Sequence, residues 1–116
     1  RWPTSEILER VESGEPDPAC DTCGGILKVD VVFFGETMPA AAMTRALAIA
    51  SVCDAVLAVG STLSVFPAAQ VPLTAVDAGA PLVIVNSGET EFDRLASALV
   101  DEPAGPTLDR LADLLA

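Results

Sequence analysis

The sequence predicts an α/β fold: a short parallel sheet with crossover helices, preceded by a small cysteine-containing module. Two observations predict the sheet. Short continuous apolar runs at residues 55–59 and 82–85 stop abruptly at Gly60-Ser61-Thr62 and Asn86-Ser87-Gly88, as strands buried on both faces of a parallel sheet do. Segments of helical length lie between and after them, and strand–helix–strand alternation is the grammar of parallel crossovers. A third observation, Cys20-Asp21-Thr22-Cys23-Gly24-Gly25, predicts the module. Two thiolates at this spacing can face one metal while the glycines permit a tight turn.

In chain order, residues 4–12 read as a short helix. Thr4 or Ser5 can cap it, Glu6 suits its first turn and Gly14 stops it. Ile7, Leu8 and Val11 make its narrow apolar face. Glu15-Pro16-Asp17-Pro18 leads as a loop into Cys20. Residues 31–34, Val-Val-Phe-Phe, are β-rich, end at Gly35 and read as a core strand. Residues 39–50 are Ala-rich, with Met43, Ala46, Leu47 and Ala50 at helical spacing. Cys53 reads as core. After the first buried strand, Pro67 is placed to open a helix running to about residue 78. Pro72 either kinks that helix or lies in its first turn, and Gly79 closes it. Leu82–Val85 and Ala98–Val100 are the second and third strands, and a terminal helix carries Leu108, Leu111, Ala112 and Leu115 on one face. Three strands are few for a covered parallel sheet, so one edge is expected to lack its neighbour, a place for a segment outside this chain.

The chain has 116 residues, 51% of them apolar, enough for a core in one domain or a piece of one. Its net charge is −11, Lys28 is its single lysine and no arginines cluster. A protein that displaces phosphate counterions needs clustered cations, so no nucleic-acid partner is expected. Asp, Pro or Gly interrupts every apolar stretch too early to span a bilayer, and no membrane partner is expected either. A basic peptide is electrostatically acceptable. Three cysteines make no disulfide framework, and a cytoplasmic location is expected. Arg1-Trp2-Pro3-Thr4 has neither an initiator Met nor the layout of a signal peptide and reads as a cut end. There is no histidine. The commonest general base is therefore missing, and no catalytic residue is assigned to this chain.

Ligands of open α/β sheets bind beyond the carboxyl ends of the strands. Those ends carry Gly60-Ser61-Thr62, Asn86-Ser87 and Glu102-Pro103-Ala104-Gly105. Each alone is ordinary loop chemistry. Together they favour a nucleotide pocket, with glycine allowing close approach and Ser, Thr and Asn able to bond ribose or phosphate. Neither GxGxxG nor a P-loop is present, so a complete phosphate-binding turn is not in this chain. For Cys20 and Cys23, a thioredoxin-like redox pair would follow a strand and open a helix, whereas this pair follows a Pro-rich loop. Zinc is favoured, with the redox and plain-loop readings open. Zinc would take two further ligands from outside the chain.

Cys-x-x-Cys-Gly-Gly-Ile-Leu-Lys, Asp-Val-Val-Phe-Phe-Gly-Glu, Val-Gly-Ser-Thr-Leu-Ser-Val-Phe-Pro and Val-Asn, in this order, closely resemble the C-terminal half of the sirtuin catalytic core. Sirtuins are NAD-dependent protein deacylases. The resemblance implies the C-terminal part of a Rossmann-like parallel sheet (residues 31–116) with part of a small zinc-binding module (residues 1–30). Cys20 and Cys23 resemble the second cysteine pair of a structural zinc site. Val32, Phe34, Gly35 and Glu36 resemble a wall of the acyl-lysine tunnel, and with Ser64 and Val65 they would pair with an acyl-lysine peptide added as a strand. The Val32 carbonyl would accept from the substrate amide and Phe34 would pack on the lysine stem. Gly60, Ser61 and Thr62 resemble the turn on the NAD ribose and phosphate, Asn86 the adenine-ribose asparagine, and Pro103 and Ala104 the adenine wall. The family's histidine base and glycine-rich loop belong to the N-terminal half, so that half is an implied partner and this chain alone is expected to be inactive. Val29 stands where proline is usual, Ser61-Thr62 reverses the usual order, and Gly88 replaces a common acidic residue. Two other readings compete: a naturally truncated, non-catalytic nucleotide- or partner-binding module, and a different doubly wound enzyme with a redox-active CxxC.

Overall fold

The structure, a computed structural model, describes all of residues 1–116. The chain forms two compact units, Arg1–Glu36 and Thr37–Ala116.

In the first unit, helix α1 spans Thr4–Glu12. Pro3 takes the capping position and no side chain caps the helix, so neither Thr4 nor Ser5 acts as the cap. A capping oxygen must sit on the residue before the first helical one, and both lie already inside the first turn. At the other end Gly14 adopts φ +105°, which lets the Glu15 N–H reach the Arg10 carbonyl at 3.1 Å. Ala19 and Ile26 then pair in an antiparallel bridge. The strand expected at residues 31–34 does not form. Backbone groups need partners, and here they find them locally: the Glu36 N–H donates to the Phe33 carbonyl and the Phe33 N–H to Glu36 Oε2, both at 3.0 Å. Far from being core, Phe34 is 92% exposed.

The second unit contains helix α2 (Ala40–Ala50), strand β1 (Val56–Val59), helix α3 (Gln70–Asp77), strands β2 (Leu82–Val85) and β3 (Ala98–Val100), and helix α4 (Ala104–Leu115). The strands form one parallel sheet in the order β1-β2-β3, with Ala58 opposite Ile84 and Ile84 opposite Leu99. Helix α3 packs on β1 and β2, and α2 packs on α3. Leu82 and Ile84 are the largest fully buried side chains, and they join Leu63, Ala69 and Phe92 in the core. Burial of each of the larger side chains, Leu63, Leu82, Ile84 and Phe92, contributes about 1.5–3 kcal/mol of hydrophobic stabilisation. Met43, Ala46, Leu47 and Ala50 face inward, as their spacing predicts.

Four details differ from expectation. Helix α3 begins at Gln70 rather than Pro67, after a turn in which the Ala69 N–H donates to the Val65 carbonyl at 2.9 Å. That start leaves Pro72 in the first turn, where its missing N–H needs no partner. Burial on both faces describes β2 but not β1, whose Leu57 is 47% exposed because α3 covers the opposite face, that of Val56 and Ala58. The apolar face of α4 is also uncovered: Leu108, Leu111 and Leu115 are exposed. Cys53 is half-buried rather than core, its thiol donating to the Ala50 carbonyl at 3.4 Å.

Candidate functional site

The carboxyl ends of the three parallel strands are built differently. At β1, Gly60 turns the chain with φ +62° while its N–H donates to the Val85 carbonyl at 2.9 Å. The left-handed conformation is open to glycine at little cost. The turn continues through Ser61, whose hydroxyl oxygen accepts the Leu63 N–H at 3.2 Å, and Thr62, whose hydroxyl lies 2.8 Å from that of Ser64. Leu63 is left-handed (φ +57°) with its side chain buried in the core. Such a conformation persists when its surroundings over-determine it. The Thr62 carbonyl accepting the Glu91 N–H at 3.0 Å helps to do so.

At β2, the Asn86 N–H donates to the Val100 carbonyl at 3.1 Å, and its side-chain Nδ2 to the Gly88 carbonyl at 3.1 Å and the Ser87 carbonyl at 3.4 Å. Its Oδ1 remains available as an acceptor. From the end of β3, Asp101 Oδ1 accepts the Gly88 N–H at 2.8 Å. A carboxylate thus stands beside residue 88 although glycine occupies that position. These two ends share a cavity of about 160 Å³ lined by Ile84, Asn86, Gly88, Glu89, Asp93, Leu99, Val100 and Asp101. Gly60, Ser61 and Thr62, and Pro103 and Ala104 at the start of α4, lie outside its lining. The structure therefore gathers one of the six expected nucleotide residues, Asn86, with a residue the sequence reading missed, Asp101. The signal for Asp101 was its place as the residue after the third strand.

In the first unit, the bridge at Ala19 and Ile26 closes the CxxC loop. The Cys20 N–H donates to the Gly25 carbonyl at 2.8 Å and the Gly24 N–H to the Cys20 carbonyl at 2.7 Å. Amides of Thr22 and Cys23 turned toward the Cys20 sulfur, helped by the Cys23 side chain, lower the Cys20 thiol to about 7. Hydrogen bonds of this kind favour a thiolate. Both thiols are free. No group of three or more potential ligands assembles around them, so the chain offers two donors where a structural zinc takes four. Arg10, also missed, braces the loop. It donates to both carboxylate oxygens of Glu15 at 2.7 Å and to the Ala19 carbonyl at 3.1 Å, and lies 3.4 Å from Asp21.

Val32, Phe34, Gly35 and Glu36 lie in the loop that replaces the expected strand. Lys28 organises it: its Nζ donates to the Val29 and Val31 carbonyls at 3.2 and 3.0 Å, pairs with Glu36 at 3.4 Å and sits 4.8 Å from the Phe33 ring centre. The Phe33 amide and Lys28 hold the Glu36 carboxyl below its usual range. Ser64 and Val65 belong to the second unit and are exposed.

Residues 2–67 match the Sir2 family profile. The chain belongs to the Sir2 family. Among its relatives, NAD-dependent protein deacetylase 2 of Streptomyces coelicolor is 43% identical over 111 residues, covering 96% of this chain and 46% of the relative. The NAD-dependent protein deacetylase of Thermodesulfovibrio yellowstonii is 38% identical over 114 residues, covering 98% of this chain and 44% of the relative. A solved Sir2 structure with a p53 peptide and NAD+ superposes with a TM-score of 0.83 at 34% identity, over 97% of this chain and 47% of that one. Another Sir2 structure, bound to an acetylated peptide, matches equally well. The chain thus spans under half the length of these Sir2 relatives. None of its helices is long and apolar enough to cross a membrane.

Proposed function

We propose that this chain is the C-terminal, nucleotide- and peptide-binding portion of an NAD-dependent protein-lysine deacetylase. The observation that carries the reading is the cavity at the ends of β2 and β3, where Asn86 is pinned through Nδ2 and presents Oδ1 as an acceptor. That is the arrangement a ribose hydroxyl needs, at the face of a parallel sheet where ligands bind. In the intact protein, NAD accepts the acyl group of lysine on its ADP-ribose with release of nicotinamide. In this chain, Asn86 orients the adenine ribose, Pro103 and Ala104 at the start of α4 flank the adenine, and Gly60, Ser61 and Thr62 approach the second ribose and the phosphates. Gly60 has the backbone freedom for a close approach, and a Cβ there would meet no atom within 4 Å. That open side is space for a ligand.

Val32, Phe34, Gly35 and Glu36, with Ser64 and Val65, are assigned to an acyl-lysine peptide. The exposure of Phe34 supports its share: a large aromatic ring held in solvent is suited to packing on the aliphatic stem of a substrate lysine. Cys20 and Cys23 are assigned to a structural zinc, supported by the tight loop and the thiolate-favouring amides. The remaining ligands come from elsewhere in the intact protein. The cytoplasm, where thiols stay reduced, suits three free cysteines.

With no histidine in its 116 residues, the chain has no imidazole base to deprotonate a ribose hydroxyl. The expected result with the purified chain, NAD and an acetyl-lysine peptide is binding without nicotinamide release. The intact protein should release nicotinamide in step with deacetylation. Nicotinamide release by the chain alone, or none by the intact protein, would sink the proposal.

A further inference from the structure

The cavity at the ends of β2 and β3 is lined by three carboxylates, those of Glu89, Asp93 and Asp101, and by no basic side chain. They are not equivalent. Asp93 is committed to the local turn, its Oδ1 accepting the Thr90 hydroxyl at 2.6 Å and the Thr90 N–H at 3.2 Å. Asp101 reaches from the end of β3 to the turn after β2, where its Oδ1 accepts the Gly88 N–H at 2.8 Å. That bond fixes the carboxylate beside the turn of Asn86, whose own amide is fixed through the Gly88 carbonyl. Both side chains thus keep one oxygen free to accept, Asp101 Oδ2 and Asn86 Oδ1.

We propose that Asp101 sets the dinucleotide preference of this cavity, accepting the free vicinal hydroxyls of an adenosine ribose and rejecting a ribose that carries a 2′-phosphate. The inference rests on the nucleotide reading above. Two neighbouring hydroxyls donate to two free acceptors. A phosphate ester at the 2′ position removes one donor and brings a negative charge toward fixed carboxylates. In dinucleotide sites generally, an acidic side chain at the ribose goes with NAD and a nearby arginine accommodates the extra phosphate of NADP. Here no arginine is available: Arg110 pairs with Glu102, and Arg94 is outside the lining.

The test uses the 116-residue chain with NAD and NADP as probes at low ionic strength, following the amide resonances of Asn86, Gly88 and Val100 into the millimolar range. NAD is expected to bind about tenfold more tightly than NADP, the scale of one repulsion between partly solvated charges a few ångströms apart. Asp101→Asn keeps an oxygen for the Gly88 N–H and removes the charge, so the ratio should fall to about twofold. Asp101→Glu, which keeps the charge, should retain a preference for NAD, and added salt should narrow the wild-type ratio. Equal binding of NAD and NADP by the wild-type chain overturns the inference and leaves the nucleotide reading standing. So does a ratio that Asp101→Asn leaves unchanged while the Gly88 amide keeps its native shift. No response to either probe overturns both.

Discussion

Replacing Gly60 by alanine separates what the turn after β1 demands of the backbone from what a ligand demands of the open space beside it. The added Cβ meets no atom within 4 Å, so there is no steric contribution. What remains is conformational. Gly60 sits at φ +62°, where an L-residue is disfavoured by roughly 1–2 kcal/mol. Relaxing to negative φ would redirect the chain that follows and so endanger the bond from the Glu91 N–H to the Thr62 carbonyl, itself worth about 1 kcal/mol net. Alanine also narrows the unfolded ensemble, which returns about 0.4–1 kcal/mol. The net expected loss is about 1 kcal/mol, read as a fall in the urea midpoint at unchanged slope. Asparagine tolerates the left-handed region better than alanine, so Gly60→Asn should be the more stable of the two. Its side chain should nevertheless block dinucleotide binding. If Gly60→Ala is as stable as the wild type, or if Gly60→Asn is the less stable variant, the conformational argument is wrong.

Other consequences follow from burial and charge. Leu82→Ala removes a side chain with no exposed surface and should lower unfolding stability by about 2–5 kcal/mol. Leu57→Ala on the uncovered face should cost less than about 1 kcal/mol in the same urea titration. In the first unit, hydrogen bonds from Arg10 hold the Glu15 carboxyl below its ordinary range. Its folded pKa is thus depressed, so the interaction stabilises above the unfolded glutamate value and is lost as pH falls through the folded one. The Glu15 titration followed by NMR should move upward in Arg10→Gln, and an unmoved midpoint would dismiss the bracing role. With metal removed, alkylation of Cys20 should reach half its maximal rate near pH 7, against about 8.5 for an ordinary thiol. In the intact protein, where the proposed zinc site has its other ligands, zinc should suppress that reaction; a half-maximal rate near pH 8.5 would contradict the amide arrangement.

The apolar runs of β1 and β2, the short run of β3 and the helical spacing of Met43, Ala46, Leu47 and Ala50 were legible because each signal is local. A run of branched residues between turn formers, or an inward face every third or fourth position, needs no knowledge of its partner. The tight CxxC loop and the polar turns at Gly60 and Asn86 were legible for the same reason. Other features depended on neighbours. The run at residues 31–34 has the composition of a strand, but in this structure its backbone bonds locally and Lys28 holds the loop against Glu36. Leu57 and the α4 leucines have core chemistry yet remain exposed, because periodicity reports which face is apolar and only packing reports whether something covers it. Asp101 looked like any acidic loop residue. Parallel pairing of β2 with β3 brings its carboxylate to the Gly88 amide across an interval that no local pattern spans. The residue types and their order determined the α/β class and the strand-end turns. Tertiary pairing decided which of those turns share a cavity, since a side chain thirteen residues away in sequence becomes a hydrogen-bond partner only once the sheet has formed.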